Sequence, residues 1–215
     1  MNTQPTALRQ PTFIEKFTVA MIGFFAFLQV YSVQAILPVL MADFAASEVA
    51  IGVAVGATVM AIAMMSPFMG MLSDAFGRKI FIVGSLLLLA IPTGMIGVSG
   101  TVDELSIWRF LQGLAVPGIT VVLIAYVSEE YSSHMAQMMS LYVAGTVLGG
   151  FSGRFFAGHL HELIGWRYGY GVMAVCTLIG ALWAFKALPS SKNFIKSDNF
   201  KHSLALLLSH TKNLQ

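Results

Sequence analysis

Six stretches of the chain, residues 17–42, 49–73, 80–102, 110–128, 131–153 and 168–185, contain no Asp, Glu, Lys or Arg. Each is 18 to 26 residues long, and a hydrocarbon layer about 30 Å thick needs about 20 apolar residues per helical crossing. A soluble domain carries about 25% charged residues; here the share is 10%, confined to the segments between and beyond the six runs. The sequence therefore predicts an all-α, polytopic membrane protein with six transmembrane helices across 17–190. A cytoplasmic segment, 1–16, precedes them and a cytoplasmic tail, 191–215, follows. The first run is too long for the 7 to 15 apolar residues of a cleavable signal, so it reads as a span. A net charge of +2, with its Lys and Arg scattered between apolar runs, argues against a nucleic-acid partner. The single cysteine, Cys176, lies inside the sixth run and can form no intrachain disulfide.

Short connections imply antiparallel neighbours, and the positive charges set the orientation. Placing the N-terminus in the cytoplasm collects Arg9, Lys16, Arg78, Lys79, Lys186, Lys192, Lys196, Lys201 and Lys212 there and leaves Arg109, Arg154 and Arg167 outside or near the outer boundary. Both termini are then cytoplasmic, and Asp43, Glu48, Asp103, Glu104 and Glu162 face the exterior. The connection after the fourth run is anomalous: it is cytoplasmic by count yet carries Glu129 and Glu130 with no Lys or Arg.

Small residues recur at helical spacing on two spans. Gly52 and Gly56 are four apart in the second, and Gly145, Gly149 and Gly153 repeat every four in the fifth, beside Gly150. Lipid offers helices no hydrophobic reason to associate, so close approach along such faces is the usual driver. Their partner is either a helix of this chain or another unit. Beyond Pro189 the chain turns polar and basic. Phe200, Leu204, Leu207 and Leu208 then form a patch too short to span, either lying on the inner membrane surface or unstructured.

Between the second and third spans, Gly70, Asp74, Gly77, Arg78 and Lys79 are spaced as Gly-x-x-x-Asp-x-x-Gly-Arg-Lys. Glycine permits the positive φ of a tight reversal, Asp74 suits hydrogen bonding to a helix start, and Arg78 offers a five-donor fork. The acidic end of the fourth span lies on the same membrane side, so Arg78 can bridge Asp74 to Glu129 or Glu130, which accounts for that acidity. The alternative is an ordinary positive-inside turn.

This pattern resembles the signature loop of the major facilitator superfamily, with Ala75 where the family usually has a basic residue. Arg109, Gln112 and Gly113 opening the fourth span resemble a second motif of the family, and Trp166-Arg167 before the sixth span is similar to its usual pair. Gly145, Gly149 and Gly150 resemble an antiporter motif, except that Thr146 stands where that motif has proline. The segments 126–130 and 150–154 look most like bacterial inner-membrane efflux-type members. The resemblance implies a secondary transporter, with a small-molecule substrate held near the bilayer midplane between two six-helix halves. It further implies a proton gradient as the energy source and no cofactor or metal. The loop with Asp74 and Arg78 would act as a conformational gate, and Gly52, Gly56, Gly145, Gly149, Gly150 and Gly153 would line the seam between halves. Family members have about twelve spans. This length therefore implies a missing C-terminal six-helix half or a second copy: a fragment inactive alone, half of a split transporter, or a homodimer subunit.

Arg109 lies twenty residues before Glu129, about 30 Å of helix, and beside Trp108 it reads as an anchor that snorkels to the interface. The family resemblance instead implies a cavity-facing arginine that helps couple protons. Arg154 sits at similar depth. It either joins Arg109 in favouring an anionic or polar substrate, or pairs with Asp43, Asp103 or Glu162. Gln29, Tyr31, Ser32 and Gln34 make a polar patch in the first span that lines a cavity or glues helices. A six-span serine protease is the remote alternative, since Gly97-Val-Ser99-Gly100 and Gly150-Phe-Ser152-Gly153 resemble a rhomboid Gly-x-Ser-Gly. Such a nucleophile needs a histidine within hydrogen-bond reach, and the sixth span has none.

Overall fold

A computed structural model of the chain describes residues 10–191. The polar tail and its Leu204–Leu208 patch lie outside these residues, as do Arg9 and the last four lysines. Among these residues, seven α-helices form six long rods: α1 (Phe13–Ser32) and α2 (Leu37–Asp43) share the first, followed by α3 (Glu48–Phe76), α4 (Arg78–Ile96), α5 (Val102–Glu130), α6 (Met135–Ile164) and α7 (Trp166–Ala187). Five units are long and apolar enough to cross a membrane: α1 and α2 taken together, α3, α4, α5 and α7. At 30 residues α6 has the length, but its four glycines between 145 and 153, with Ser140, Thr146 and Arg154, dilute its apolar character.

The ends of the helices follow from local chemistry. Thr12 and Glu15 form a reciprocal capping box on α1. Ser47 caps α3 by accepting from the N–H of Ala50, and Thr101 caps α5 by accepting from that of Glu104. The first span is not one helix. A 3-10 turn, Val33–Ile36, interrupts it, and Pro38 sits in the first turn of α2, where a missing N–H costs nothing. Two connections are far shorter than the charge pattern suggests. Gly77 alone separates α3 from α4, at φ +92°, and Gly165 alone separates α6 from α7, at φ +82°. Only glycine adopts such angles without strain. The expected loop at 73–79 is therefore mostly helix, with Asp74 in the last turn of α3 and Arg78 the first residue of α4.

Packing is dominated by two close pairs, α1 with α6 and α3 with α5, while α4 joins α5 to α7. The glycine repeat of α6 forms the first pair. A Cβ at Gly145, Gly149 or Gly153 would overlap the backbone carbonyl of Ala20, Phe24 or Leu28 respectively, one turn of α1 after another. This corrects the expectation that these three line a seam with another half, because α1 already fills the space in front of them. Gly150 meets the side chain of Tyr31. Gly113 plays the same part in the second pair, backed against Thr58 and Ala61 of α3. Gly52 and Gly56 behave differently. Both are exposed, and a Cβ on either would meet nothing.

Candidate functional site

The charged residues of the Gly70–Lys79 motif converge with Glu129 at one end of the bundle. Arg78 is nearly buried and its guanidinium joins three helices: Nη1 lies 2.7 Å from Oδ1 of Asp74 on α3, and Nη2 lies 2.7 Å from Oε1 of Glu129 on α5. Nε also donates to both Glu129 oxygens at 3.2 Å, and Nη1 donates to the carbonyl of Gly70 at 3.3 Å and to the hydroxyl of Ser73. A planar fork can satisfy two carboxylates in this way and an ammonium cannot. Asp74 is thus an ion-pair partner of Arg78 and does not cap α4, whose start has no side-chain cap. Of the two acidic residues, Glu129 pairs with Arg78, and Glu130 is buried. Gly70 contributes its carbonyl, Gly77 the reversal that brings Arg78 back over α3, and Lys79 stacks 5.3 Å above the Phe185 ring on α7. Ser73 is a member that sequence reasoning missed; a hydroxyl beside an aspartate carries no distinguishing signal.

Arg109 is fully buried and does not snorkel. Its Nη1 donates to the Gln29 carbonyl at 3.0 Å and to Oε1 of Gln112 at 2.7 Å, and its Nη2 to the Val30 carbonyl at 2.9 Å. No carboxylate pairs with it among the described residues. The compensation is the end of α1. The last four carbonyls of a helix lack α-helical partners and carry the negative end of its dipole, and the break at Val33 puts that end against Arg109. Gln112 in turn donates to Thr93 Oγ1 at 2.8 Å, and Thr58 donates to the Arg109 carbonyl at 2.9 Å. Thr58 and Thr93 were also missed, although each is an isolated hydroxyl inside an apolar run. Gln29 turns out to join helices: its amide is sealed and donates to Thr177 Oγ1 on α7 at 2.7 Å. Cavity lining fails for it because no solvent reaches it.

Tyr31, Gln34 and Arg154 form a separate group on the α1/α6 face. Arg154 Nε donates to Gln34 Oε1 at 2.9 Å, its Nη1 to the Gly150 carbonyl at 3.3 Å, and its guanidinium lies 4.4 Å above the Tyr31 ring. Arg154 remains exposed and makes no ion pair among the described residues. Asp43, once its candidate partner, binds Arg167 Nη2 at 2.8 Å and accepts from Trp166 Nε1 at 3.2 Å. A groove of about 1180 Å³ between α4 and α7 includes Gly94, Gly97, Gly171 and Val175 in its lining and contains neither Arg109 nor Arg154. Among the described residues, neither Ser99 nor Ser152 is hydrogen-bonded to a histidine.

A bundle of membrane-length helices, with a three-helix ionic clasp at one end and a buried arginine inside, has the architecture of a polytopic membrane protein. Residues 19–213 match the Major Facilitator Superfamily model, and the chain belongs to that family. It is 35% identical, over 80% of its length, to 42% of the inner membrane transport protein YnfM of Escherichia coli. It is 23% identical, over 94% of its length, to 49% of the chloramphenicol resistance protein CraA of Acinetobacter baumannii. Among solved structures, a peptide transporter POT superposes with TM-score 0.76 at 17% identity, covering 96% of this chain and 47% of that one. The chain thus spans about half the length of the curated relatives it matches.

Proposed function

We propose that the chain is the N-terminal half of a proton-coupled secondary transporter. It expels a small molecule across a bacterial inner membrane by alternating access, and it requires a second six-helix half to do so. The observation that carries the reading is the Arg78 clasp. It ties α3, α4 and α5 together at one membrane face through contacts that a modest rotation of any of the three would break, and a gate needs that property. Arg109 is suited to a coupling role: it is a buried cation held by carbonyls and an amide, so a nearby charge change alters its balance. The open Gly52/Gly56 face of α3 is where a second half would approach closely. Both termini are cytoplasmic in this reading, and the energy source is the proton gradient.

The test is reconstitution in liposomes with an imposed pH gradient, using this chain alone and together with the C-terminal half of a full-length relative. Proton-driven flux is expected only from the pair, and it is expected to vanish with Arg109→Ala. Flux from the chain alone would instead indicate that two copies rebuild the cavity. Absence of flux from every combination, with both halves inserted and folded, would overturn the transporter reading.

A further inference from the structure

The groove of about 1180 Å³ between α4 and α7 lies at the end of the bundle opposite the Arg78 clasp. Glycine brings the two helices together there: a Cβ at Gly97 would overlap the Arg167 carbonyl, and one at Gly94 would meet the Ala174 Cβ at 3.5 Å. Gly171 is the opposite case, since a Cβ on it would meet nothing within 4 Å. Val98, Tyr168 and Val175 in the lining are all more than half exposed. A cleft of this size holds a drug-sized molecule, and apolar surface left open on membrane-length helices faces lipid or another helix. Two features give the groove a direction. Among the described residues, Arg167 is the only charged member of its lining, and it opens α7 beside Trp166 and Tyr168; aromatic residues at a charged helix end mark the level of lipid headgroups. From Arg167 to Cys176, the last lining residue on α7, the helix rises about 13 Å, close to the roughly 15 Å of hydrocarbon in one leaflet. Arg167 also has donors to spare. Nη1 donates to the Ser99 carbonyl at 2.6 Å and Nη2 to Asp43 Oδ2 at 2.8 Å, while Nε has no hydrogen-bond partner among the described residues and 42% of the side chain is exposed.

We propose that this groove binds a membrane phospholipid, one acyl chain lying against Gly94, Gly171 and Val175 and the phosphate accepting a hydrogen bond from Arg167 Nε. The site does not depend on whether the chain transports anything. The chemistry along the groove runs in the order of a lipid: one charged donor at the interface, then an apolar lining. A charge-assisted hydrogen bond selects a phosphate over a neutral head. Asp43 already balances the arginine, so a zwitterionic phospholipid suits the site better than one with a net charge. The rival occupant is a second copy. Docked face to face, it would bring another Arg167 to the same interface, with each copy's Asp43 already paired.

The site is tested by native mass spectrometry of the whole chain in detergent micelles, titrated with phosphatidylethanolamine and with diacylglycerol bearing the same acyl chains. The expected result is saturable retention of one phosphatidylethanolamine per chain, with diacylglycerol at least about tenfold weaker. Arg167→Gln should bring the two lipids to the same affinity. Gly171→Leu fills the groove while keeping the arginine, and its Cβ meets nothing. It should weaken phosphatidylethanolamine binding several-fold, so the site stays testable if the arginine variant fails to fold. Equal affinities of the two lipids for the unaltered chain, or retention indifferent to Gly171→Leu, would overturn the proposal. So would a lipid-free dimer that Gly171→Leu dissociates, because the groove would then hold a second copy. Failure of the lipid test leaves the transporter reading standing, and absence of flux from every pairing leaves the lipid site standing.

Discussion

Arg78 and Arg109 are both nearly or fully buried, but they are compensated by different means, and substitutions should separate them. Arg78 has two carboxylates, each about a third exposed, so water already screens part of the attraction. A double-mutant cycle with Arg78→Ala and Glu129→Gln should give a coupling of about 1 kcal/mol, reduced at high salt, when unfolding is followed in denaturant. Arg109 has only dipoles. Arg109→Ala orphans the Val30 carbonyl and the Gln112 amide oxygen and leaves the Gln29 carbonyl with the Ser32 hydroxyl, and the expected loss is about 3 kcal/mol, insensitive to salt. Arg109→Lys should recover less than half of it, because one ammonium cannot reach three acceptors across two helices. The motif residues were legible in sequence as charged groups at the borders of apolar runs. The Arg109 partners were not, because backbone carbonyls carry no sequence signature and Thr58 and Thr93 look like any tolerated hydroxyl.

Glycine means different things on α3 and α6, although the spacing of four is the same. On α6, Gly149→Ala places a methyl group against the Phe24 carbonyl, so α1 and α6 must separate; destabilisation of about 1–3 kcal/mol is expected in denaturant titrations. On α3, Gly56→Ala meets open space and should leave the isolated chain unchanged or up to about 1 kcal/mol more stable. The same change should weaken association with a second half, readable as lost co-purification. The sequence announced two close-packing faces but not which was internal. Periodicity describes one helix at a time, and the occupant of a face belongs to its neighbour. The break at Val33 was hidden for a related reason: an uncharged run of 26 residues looks continuous, and Pro38 in the first turn of a new helix leaves the hydrophobic pattern intact.

At the scale of the whole molecule, the order of spans places Ala46 and Ser132 on opposite sides of the membrane. In a Cys176→Ser background, a cysteine at Ala46 should react with an impermeant maleimide from outside intact cells, while one at Ser132 should react only after permeabilisation. The reverse pattern would invert the orientation. The all-helical membrane class, the family resemblance and the candidates for the Arg78 bridge were legible in the sequence alone, whereas the choice of Glu129 as its partner came from the structure. The legible features depend on local properties: bilayer thickness sets run length, charges cannot stay in hydrocarbon unpaired, and opposite charges on one face find each other. The tertiary structure alone decided that Arg109 faces a helix end, that the α6 glycines face α1, and that Arg154 meets Gln34 and the Tyr31 ring. Each of those outcomes depends on which backbone lies within a few ångströms of the side chain, which is a property of two helices together and is written in neither.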